Sequence, residues 1–355
     1  MTIQFPHPLP LQLPLIARVA EGLDPAIDAV AARAVPSHGF LTRGWFAAAV
    51  EAYGGTPRTL IVEAGNVPAL VLPWVGIGPA WLKLASVPGS YWPIRTFPVA
   101  LEADTRVHDA ALARLAREVR ALRIGPVGDD DPAAMPLIVA ARAAGWTVLD
   151  RFVATRWVLD LAGAEAWPRS STLKKNRWHE KQMAAAGALD WQLGVEDWPA
   201  AFDTLAAVEA QSWQGAERDA KFTDTPHGRF WRAAARDPRV AGMMRAALLS
   251  IDGKPAAFSF DLETGAVVHA LANSYVTDHA KHSPGKLLQY RNLVAQRNRG
   301  ATLVDWGAGD SGYKATMGAV AGPALRDWLL IAPGPAGLAA RALRGWWRRS
   351  GNAEG

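Results

Sequence analysis

The main candidates for ligand binding and catalysis lie between Ser283 and Lys314. Ser283-Pro284-Gly285 breaks the chain before an apolar pattern with helical spacing, which predicts a helix whose first turn holds Lys286 and Leu287. The first amide groups of a helix have no acceptor within it, and the helix dipole is positive there. Ser283, Gly285, Lys286 and Leu287 therefore predict an anion site suited to phosphate. The alternative is an ordinary loop of the kind that any strand–helix connection needs.

A second motif follows the predicted helix. Residues 301–306 form a short β-rich run that contains Asp305, and Gly307-Ala308-Gly309 comes directly after it. Glycines in this position allow a tight turn at the end of a strand. The pair Tyr313-Lys314 follows within a few residues. The segment therefore predicts helix, strand and glycine loop, with acidic, phenolic and cationic side chains around the turn.

Composition limits the chemistry available to the rest of the chain. The 355 residues include no cysteine, which excludes disulfides, thiolate catalysis and zinc–thiolate sites. The eight histidines show no metal-binding spacing, so we expect no metal. Prolines interrupt the apolar residues near the start, and no apolar run reaches ~18 residues. We therefore expect a cytoplasmic protein. A net charge of +5 is compatible with an acidic ligand or a membrane surface.

The order of predicted elements is repeated along the chain. A hairpin is predicted at Ala64-Gly65-Asn66, and turns at Asp252-Gly253 and Thr264-Gly265 predict an antiparallel meander in the second half. Each half runs strand, two helices, three strands, helix, strand, helix or loop, strand. Because the halves show no visible sequence identity, the repeat is one of topology. We predict domains at 1–155 and 156–335, followed by a tail at 336–355.

Two basic segments each have two interpretations. The tail has Leu338, Trp346 and Trp347 on one helical face and arginines on the other, a pattern typical of helices at membrane surfaces. A terminal helix docked on its own domain is the favoured alternative. The predicted helix 167–186 carries Lys174, Lys175 and other cations, which favours a solvated helix face over contacts with tRNA phosphates.

Together these motifs resemble those of GNAT-type acyltransferases. Ser283-Pro284-Gly285-Lys286-Leu287, then Asp305-Trp306-Gly307-Ala308-Gly309, then Tyr313-Lys314 are similar to the branch of cellulose-biosynthesis-associated (BioF2-like) acetyltransferases, which is related to Fem-type peptidyltransferases. The resemblance covers roughly residues 155–332, and more weakly a degenerate repeat in the first half. It implies an α/β (α+β) protein of tandem GNAT-like domains, each with a mixed, mostly antiparallel central sheet flanked by helices.

The resemblance also implies roles for individual residues. Acetyl-CoA or another acyl-CoA would place its pyrophosphate on Ser283, Gly285, Lys286 and Leu287. Catalytic roles fall to Asp305, Tyr313 and Lys314, unless these three only hold the glycine loop together. Acceptor contacts fall to Asn273, Tyr275 and Trp213. His269, in the middle of a strand, is expected to be a packed residue, and Glu209 an exposed one.

Three functions remain open on this basis. The first is an acyltransferase acting on an amine or hydroxyl of a small-molecule or glycan acceptor, such as an amino sugar, an exopolysaccharide or a cell-envelope component. The second is an aminoacyl-tRNA-dependent, Fem-like transferase, because the pyrophosphate segment has fewer glycines than the better-known GNAT loops. The third is a non-catalytic module in polysaccharide synthesis. If the tail binds lipid, the protein would be peripheral to the inner membrane.

Overall fold

The chain divides into two compact units. Unit 1 is Met1–Arg156 with Gly322–Gly355, and unit 2 is Trp157–Ala321. The structure is a computed structural model that describes residues 13–89, 93–163, 167, 170–195, 197–212, 221–309, 312–334, 345 and 347. The first boundary lies beside the predicted division at residue 155.

Unit 1 contains seven strands and four helices in the part of the chain that the structure describes. Its strands are β1 (Leu15–Glu21), β2 (Pro57–Ala64), β3 (Val67–Ile77), β4 (Leu84–Ser86), β5 (Ala121–Gly128), β6 (Thr147–Asp160) and β12 (Val320–Ile331). Its helices are α1 (Ala26–Ala31), α2 (Arg43–Tyr53), α3 (Arg106–Glu118) and α4 (Ala134–Ala143). The strand order is β1-β2-β3-β4-β5-β12-β6. The end of β6, from Trp157, and the start of β12, up to Ala321, belong to unit 2.

Local sequence signals explain how these elements form. Thr42 caps α2 by accepting a hydrogen bond from the Trp45 amide at 3.3 Å, as predicted. The predicted hairpin at Ala64-Gly65-Asn66 joins β2 to β3, and Gly65 has the positive φ of 63° that the tight turn requires. Continuous apolar runs in β2 and β3 are buried and form much of the core.

Unit 2 has a similar order of elements, but a helix precedes its first strand, and three helices rather than two lie between its first and second strands. Its further strands are β7 (Leu189–Val195), β8 (Met244–Ile251), β9 (Lys254–Thr264), β10 (Val267–Tyr275) and β11 (Leu303–Ala308). Its helices are α5 (Ser170–Ala184), α6 (Trp198–Ala210), α7 (Pro226–Ala234), α8 (Pro238–Met243), α9 (Pro284–Asn298) and α10 (Tyr313–Met317). The strand order is β11-β10-β9-β8-β7, with β8, β9 and β10 forming the predicted antiparallel meander.

Helices cover both faces of the unit 2 sheet. On one face, Leu287 and Leu288 of α9 pack with Met183 of α5 and buried residues of β8 and β9. On the other, Phe202 of α6 packs against Phe260 of β9 with ring centroids 6.0 Å apart. Alternation along the strands therefore separates an α9-facing set of side chains from an α6-facing set.

The structure differs from the sequence prediction in two strands, β6 and β12. The last strand, expected in the second domain, pairs as β12 with β5 of unit 1 between Leu325 and Ile331. Two strands predicted at 146–149 and 152–161 are one continuous strand, β6. Most of the tail lies outside the described residues, but Trp347 packs against Ala121, Leu149 and Ile331, as a docked tail requires. Among the described residues, no helix is both long enough and apolar enough to cross a bilayer.

Candidate active site

The sheet of unit 2 opens between β10 and β11. These parallel strands are in register only from Val267↔Leu303 to His269↔Asp305, although both continue beyond that point. β10 instead goes on pairing with β9 as far as Tyr275, with a bulge between Ala270 and Ala272. The last residues of β10 and β11 therefore form the two sides of a gap, and α9 begins shortly after β10 ends.

The start of α9 carries the predicted anion site. Ser283 has a left-handed backbone with φ of 54°, and its amide donates to the Ala280 carbonyl at 3.0 Å. The Leu287 amide donates to the Ser283 carbonyl at 3.1 Å. The amides of Gly285 and Lys286 occupy the first turn, where a helix supplies no acceptor of its own. Of the predicted cradle, these two amides can therefore bind an anion directly.

Gly285 is held close to β10. A Cβ atom at this position would lie 2.9 Å from Asn273 Oδ1 and 2.9 Å from Tyr275 Cδ1, closer than side chains tolerate. The glycine lets the helix start rest directly on the strand that borders the gap. This requirement is steric, since Gly285 is absent from the residues with positive φ.

Positive groups surround Lys286. Burial and then Lys175 lower the pKa of Lys286. Burial lowers the pKa of His179, and Lys175, Lys286 and His282 lower it further. These groups come from α5, from the 3₁₀ turn Thr277–His282 and from α9. Because they repel one another, a bound anion would relieve the repulsion, and it would meet the positive end of the α9 dipole.

A groove between α5 and α9 adjoins this cluster. Its volume is about 480 Å³, and its lining includes Leu173, Arg177 and Glu180 from α5 and Leu287, Tyr290 and Arg291 from α9. Lys174, Lys175 and Arg177 are exposed on α5, so the basic helix has a solvated face as predicted. The same helix nevertheless brings Lys175 towards Lys286.

Asp305 and His269 face each other at the base of the gap. His269 Nδ1 lies 3.6 Å from Asp305 Oδ2, and both side chains are buried. Asp305 Oδ1 also accepts a hydrogen bond from the Gly307 amide at 2.9 Å. Val268 packs with residues of α9, so alternation along β10 places His269 on the α6-facing side. The expectation of a packed His269 matches its burial, but its carboxylate neighbour was not predicted.

Lys314 holds the glycine loop. Its buried ammonium group donates to the carbonyls of Trp306 at 2.9 Å, Ala308 at 2.9 Å and Gly309 at 2.6 Å. An ammonium group has three hydrogens, and each has a carbonyl acceptor. Tyr313 is 36% exposed and packs edge-to-face on Trp306. These contacts are those of the loop-holding alternative, and the catalytic roles of Lys314 and Tyr313 stay predictions.

The predicted acceptor contacts have different environments. Asn273 Nδ2 donates to the Gly285 carbonyl at 3.2 Å and to Gln289 Oε1 at 3.1 Å, so both of its hydrogens position α9. Tyr275 is partly buried against the cluster that includes Leu287. Trp213 lies outside the described residues. Roles of Asn273 and Tyr275 in acceptor binding stay predictions.

Sequence analysis missed a buried polar network under α9. Asp261 of β9 accepts hydrogen bonds from Asn292 at 2.6 Å and Gln296 at 2.7 Å, and Gln289 accepts one from Ser259 at 3.0 Å. Burial raises the pKa of Asp261 to about 7. The sequence did contain a signal for this network, because the side-chain amides of Gln289, Asn292 and Gln296 recur at i, i+3 and i+7 on α9. Through Asn273, the network reaches the helix start and fixes its position.

Glu209 was expected to be exposed, and that expectation is wrong. Its side chain is fully buried, and Oε2 accepts hydrogen bonds from the amides of Lys221 at 2.7 Å and Phe222 at 2.9 Å. A carboxylate that binds two backbone amides anchors the segment that follows α6. Phe222 then packs into the aromatic cluster around Phe260.

Unit 1 has a similar pair of parallel strands but fills the gap itself. β4 and β5 are in register only from Leu84↔Ala121 to Ser86↔Arg123. Beyond this point Arg95 exchanges backbone hydrogen bonds with Gly125 and Pro126, while Val99 bridges to Leu70 of β3. These residues thus pair in the space where, among the described residues of unit 2, no backbone pairing joins the ends of β10 and β11. This contrast singles out unit 2 as the unit with the candidate active site.

Comparison with protein families identifies part of the chain. Residues 170–315 match the family model described as acetyltransferase (GNAT) domain. No curated protein matches the chain in sequence. The matched segment begins with α5 and extends through the predicted anion site at the start of α9 to the glycine loop and Lys314.

Solved structures share the fold at low sequence identity. FemX has a TM-score of 0.54 and 12% identity, over 82% of this chain and 91% of that chain. The C-terminal domain of an Agrobacterium fabrum protein assigned as a lysylphosphatidylglycerol synthetase has a TM-score of 0.53 and 16% identity, over 90% of this chain and 94% of that domain. A Bacteroides thetaiotaomicron VPI-5482 protein of unknown function has a TM-score of 0.55 and 10% identity, over 89% of this chain and 100% of that chain. These likenesses show the fold, a mixed α/β arrangement of GNAT type.

Proposed function

With residues 170–315 as a GNAT acetyltransferase domain, we propose that the protein transfers an acyl group from acyl-CoA to an amine or hydroxyl. The observation that carries the proposal is the start of α9. It places the amides of Gly285 and Lys286, a positive helix end and surrounding cations beside the gap between β10 and β11. A diphosphate bound there would direct the attached arm along the open edge of β10.

The reaction then needs an attacking group, a proton acceptor and a leaving thiolate. The acceptor's nitrogen or oxygen forms a bond to the thioester carbonyl carbon, the carbon–sulfur bond breaks, and the sulfur leaves as thiolate or thiol. His269 with Asp305 lies on the α6-facing side at the base of the gap, and we assign this pair to take the acceptor's proton. Because the Gly307 amide already donates to Asp305 Oδ1, the oxyanion donor would have to be another backbone amide of the glycine loop.

A second donor class is favoured by one specific observation. Lys175 of the basic helix α5 approaches Lys286, so cations extend from the anion site along that helix. Fem-type transferases, which the motifs resemble, use a charged tRNA, and a longer polyanion would follow such a path. Binding of charged tRNA that is lost on reversing Lys174, Lys175 and Arg177 to glutamate would favour this donor.

The acceptor is proposed from the resemblance of the motifs alone. A cell-envelope component, an exopolysaccharide or an amino sugar is the acceptor class of the cellulose-biosynthesis-associated branch that the motifs resemble. The runner-up is a non-catalytic module in polysaccharide synthesis, which the structural contacts of Lys314 support. Retention of function in cells by Asp305→Ala and His269→Ala together would favour the module.

The experiment that tests the proposal is a thermal shift with acyl-CoA of several chain lengths. We expect acetyl-CoA or a longer acyl-CoA to raise the melting temperature, and Lys286→Ala to reduce the shift. Lys254→Ala is the matched control, since Lys254 is an exposed lysine at the start of β9. A wild-type protein whose melting temperature no acyl-CoA changes would count against the proposal.

A further inference from the structure

Several guanidinium groups converge on one carboxylate in unit 1. Arg123 of β5 donates from Nη2 to Asp327 Oδ2 at 2.7 Å. Arg151 of β6 donates to the same oxygen from Nε at 3.0 Å and Nη2 at 2.6 Å. Asp327 of β12 is 1% exposed, and its Oδ1 accepts no hydrogen bond from the described residues.

Arg95 adds a third cation to this group. Its backbone pairs with Gly125 and Pro126, and its Nε donates to the Gly125 carbonyl. Burial lowers the pKa of Arg95 to about 10, with Arg123 and Arg151 lowering it and Asp327 opposing them. Three guanidinium groups therefore share the environment of one carboxylate. We call Arg95, Arg123, Arg151 and Asp327 the arginine cluster.

The neighbouring arginines of unit 1 have carboxylates of their own. Arg326 pairs with Asp129 at 3.0 Å and Asp150 at 3.1 Å, and Arg156 pairs with Asp130 at 2.7 Å. Around Arg326 and Arg156, unlike in the arginine cluster, the carboxylates are at least as numerous as the guanidinium groups.

The remaining sequence of unit 1, outside the described residues, offers almost no compensating charge. Residues 1–12, 90–92 and 335–353 contain no aspartate or glutamate, which leaves Glu354 near the terminus. A partly buried excess of cations is unfavourable unless an anion joins it. Guanidinium groups suit phosphate in particular, because their fork of N–H groups matches its oxygens.

The cluster is accessible at its edge. The side chain of Arg123 is 29% exposed and that of Arg151 is 13% exposed. Trp347 stacks on the Arg151 guanidinium, with 4.7 Å between the Arg151 Cζ atom and the ring centroid. Trp347 covers one face of the Arg151 guanidinium group. The N–H groups of Arg151 therefore point outward in the guanidinium plane, where they already bind Asp327.

We propose that the arginine cluster of unit 1 binds the phosphate group of a ligand, at a site separate from the start of α9. Arg95 and Arg123 supply charge that Asp327 does not neutralise, and Arg151 supplies a guanidinium already oriented by Trp347. The shared chemistry is a phosphate mono- or diester, whether free, in a nucleotide or in a lipid headgroup. The site does not depend on the donor proposed for unit 2.

The test measures phosphate binding with the α9 site disabled. In Lys286→Ala protein, inorganic phosphate is titrated by thermal shift and calorimetry against chloride at equal ionic strength. We expect phosphate to raise the melting temperature saturably, and Arg123→Gln to weaken binding at least about tenfold. Arg326→Gln is the matched control, since Arg326 has two carboxylates, and it should leave phosphate binding unchanged.

The melting temperatures of the variants without phosphate show whether Arg123 binds a ligand or only stabilises the fold. Without phosphate, Arg123→Gln should melt no lower than the parent protein, because it removes repulsion, whereas Arg326→Gln should melt lower. Asp327→Asn should increase the melting shift that phosphate produces. Uridine diphosphate and phosphatidylglycerol vesicles, each compared with inorganic phosphate, distinguish a nucleotide from a lipid source. An absence of phosphate binding, or equal binding by parent and Arg123→Gln, would overturn the proposal.

Discussion

Replacing Gly285 by alanine tests the geometry at the start of α9. The new Cβ atom would lie 2.9 Å from both Asn273 Oδ1 and Tyr275 Cδ1, whereas ordinary contacts begin near 3.4 Å. To restore ordinary contact distances, Asn273 Oδ1 and Tyr275 Cδ1 must each lie about 0.5 Å farther from the new Cβ atom. The Tyr275 ring can turn, but Asn273 is held by hydrogen bonds to the Gly285 carbonyl and Gln289. The helix start must therefore move away from β10.

Overpacking of this kind costs about 1–3 kcal/mol of stability. The same movement displaces the Lys286 amide, and small misplacements of binding groups weaken binding strongly, so the Kd for acetyl-CoA should rise at least about tenfold. Urea denaturation measures the first effect and calorimetric titration the second. Both should respond to Gly285→Ala, because one displacement causes them.

Gly242→Ala is the matched control for this substitution. Gly242 lies in helix α8, and nothing lies within 4 Å of the position its Cβ would take. Alanine should leave the protein equally stable or stabilise it by up to ~1 kcal/mol, with acetyl-CoA binding unchanged. The reasoning is refuted if Gly285→Ala unfolds at the wild-type urea midpoint and binds acetyl-CoA with the wild-type Kd.

Three further predictions concern other parts of the chain. Burial raises the pKa of Asp261 to about 7 from 3.8, so this group makes the folded protein less stable as pH rises between those values. Asp261→Asn should therefore gain stability relative to wild type from pH 4 to 8, by up to about 4 kcal/mol in urea titrations, and parallel pH profiles would contradict this. Lys314→Met should cost about 3 kcal/mol or more, because three carbonyls lose a charged donor, and an unchanged melting temperature would argue against the loop-holding role. Trp347→Ala should cost about 1–3 kcal/mol and leave vesicle flotation unchanged, whereas loss of flotation would support a membrane anchor.

Much of the fold follows from local sequence signals. The hairpin at Gly65, the meander of β8, β9 and β10 and the helix after Ser283 each depend on turn residues and periodicity within a few positions. The repeat of element order follows from these elements. The pairing of β12 with β5 does not, because strand partners far apart in the chain are chosen by packing rather than by local pattern.

The elements around the candidate site were predictable in outline. The Pro284-Gly285 break and Lys286 indicate an anion site from the sequence alone, and the glycine loop indicates a turn beside it. The partners of Lys314 and Asp305 were not predictable, because a buried side chain takes whichever groups the tertiary fold brings to it. The amide network on Asp261 left a periodic signal, but polar residues at helical spacing ordinarily indicate a solvated face.

Whether the start of α9 binds the donor's diphosphate is best tested by measuring ligand affinities. Calorimetric titration of acetyl-CoA and CoA into wild type and Lys286→Ala gives the affinity of each. We expect both ligands to bind wild type, because they share the diphosphate, and Lys286→Ala to weaken both at least about tenfold without a lower melting temperature. Equal Kd values for the two proteins, or wild-type protein that binds neither ligand, would contradict the account.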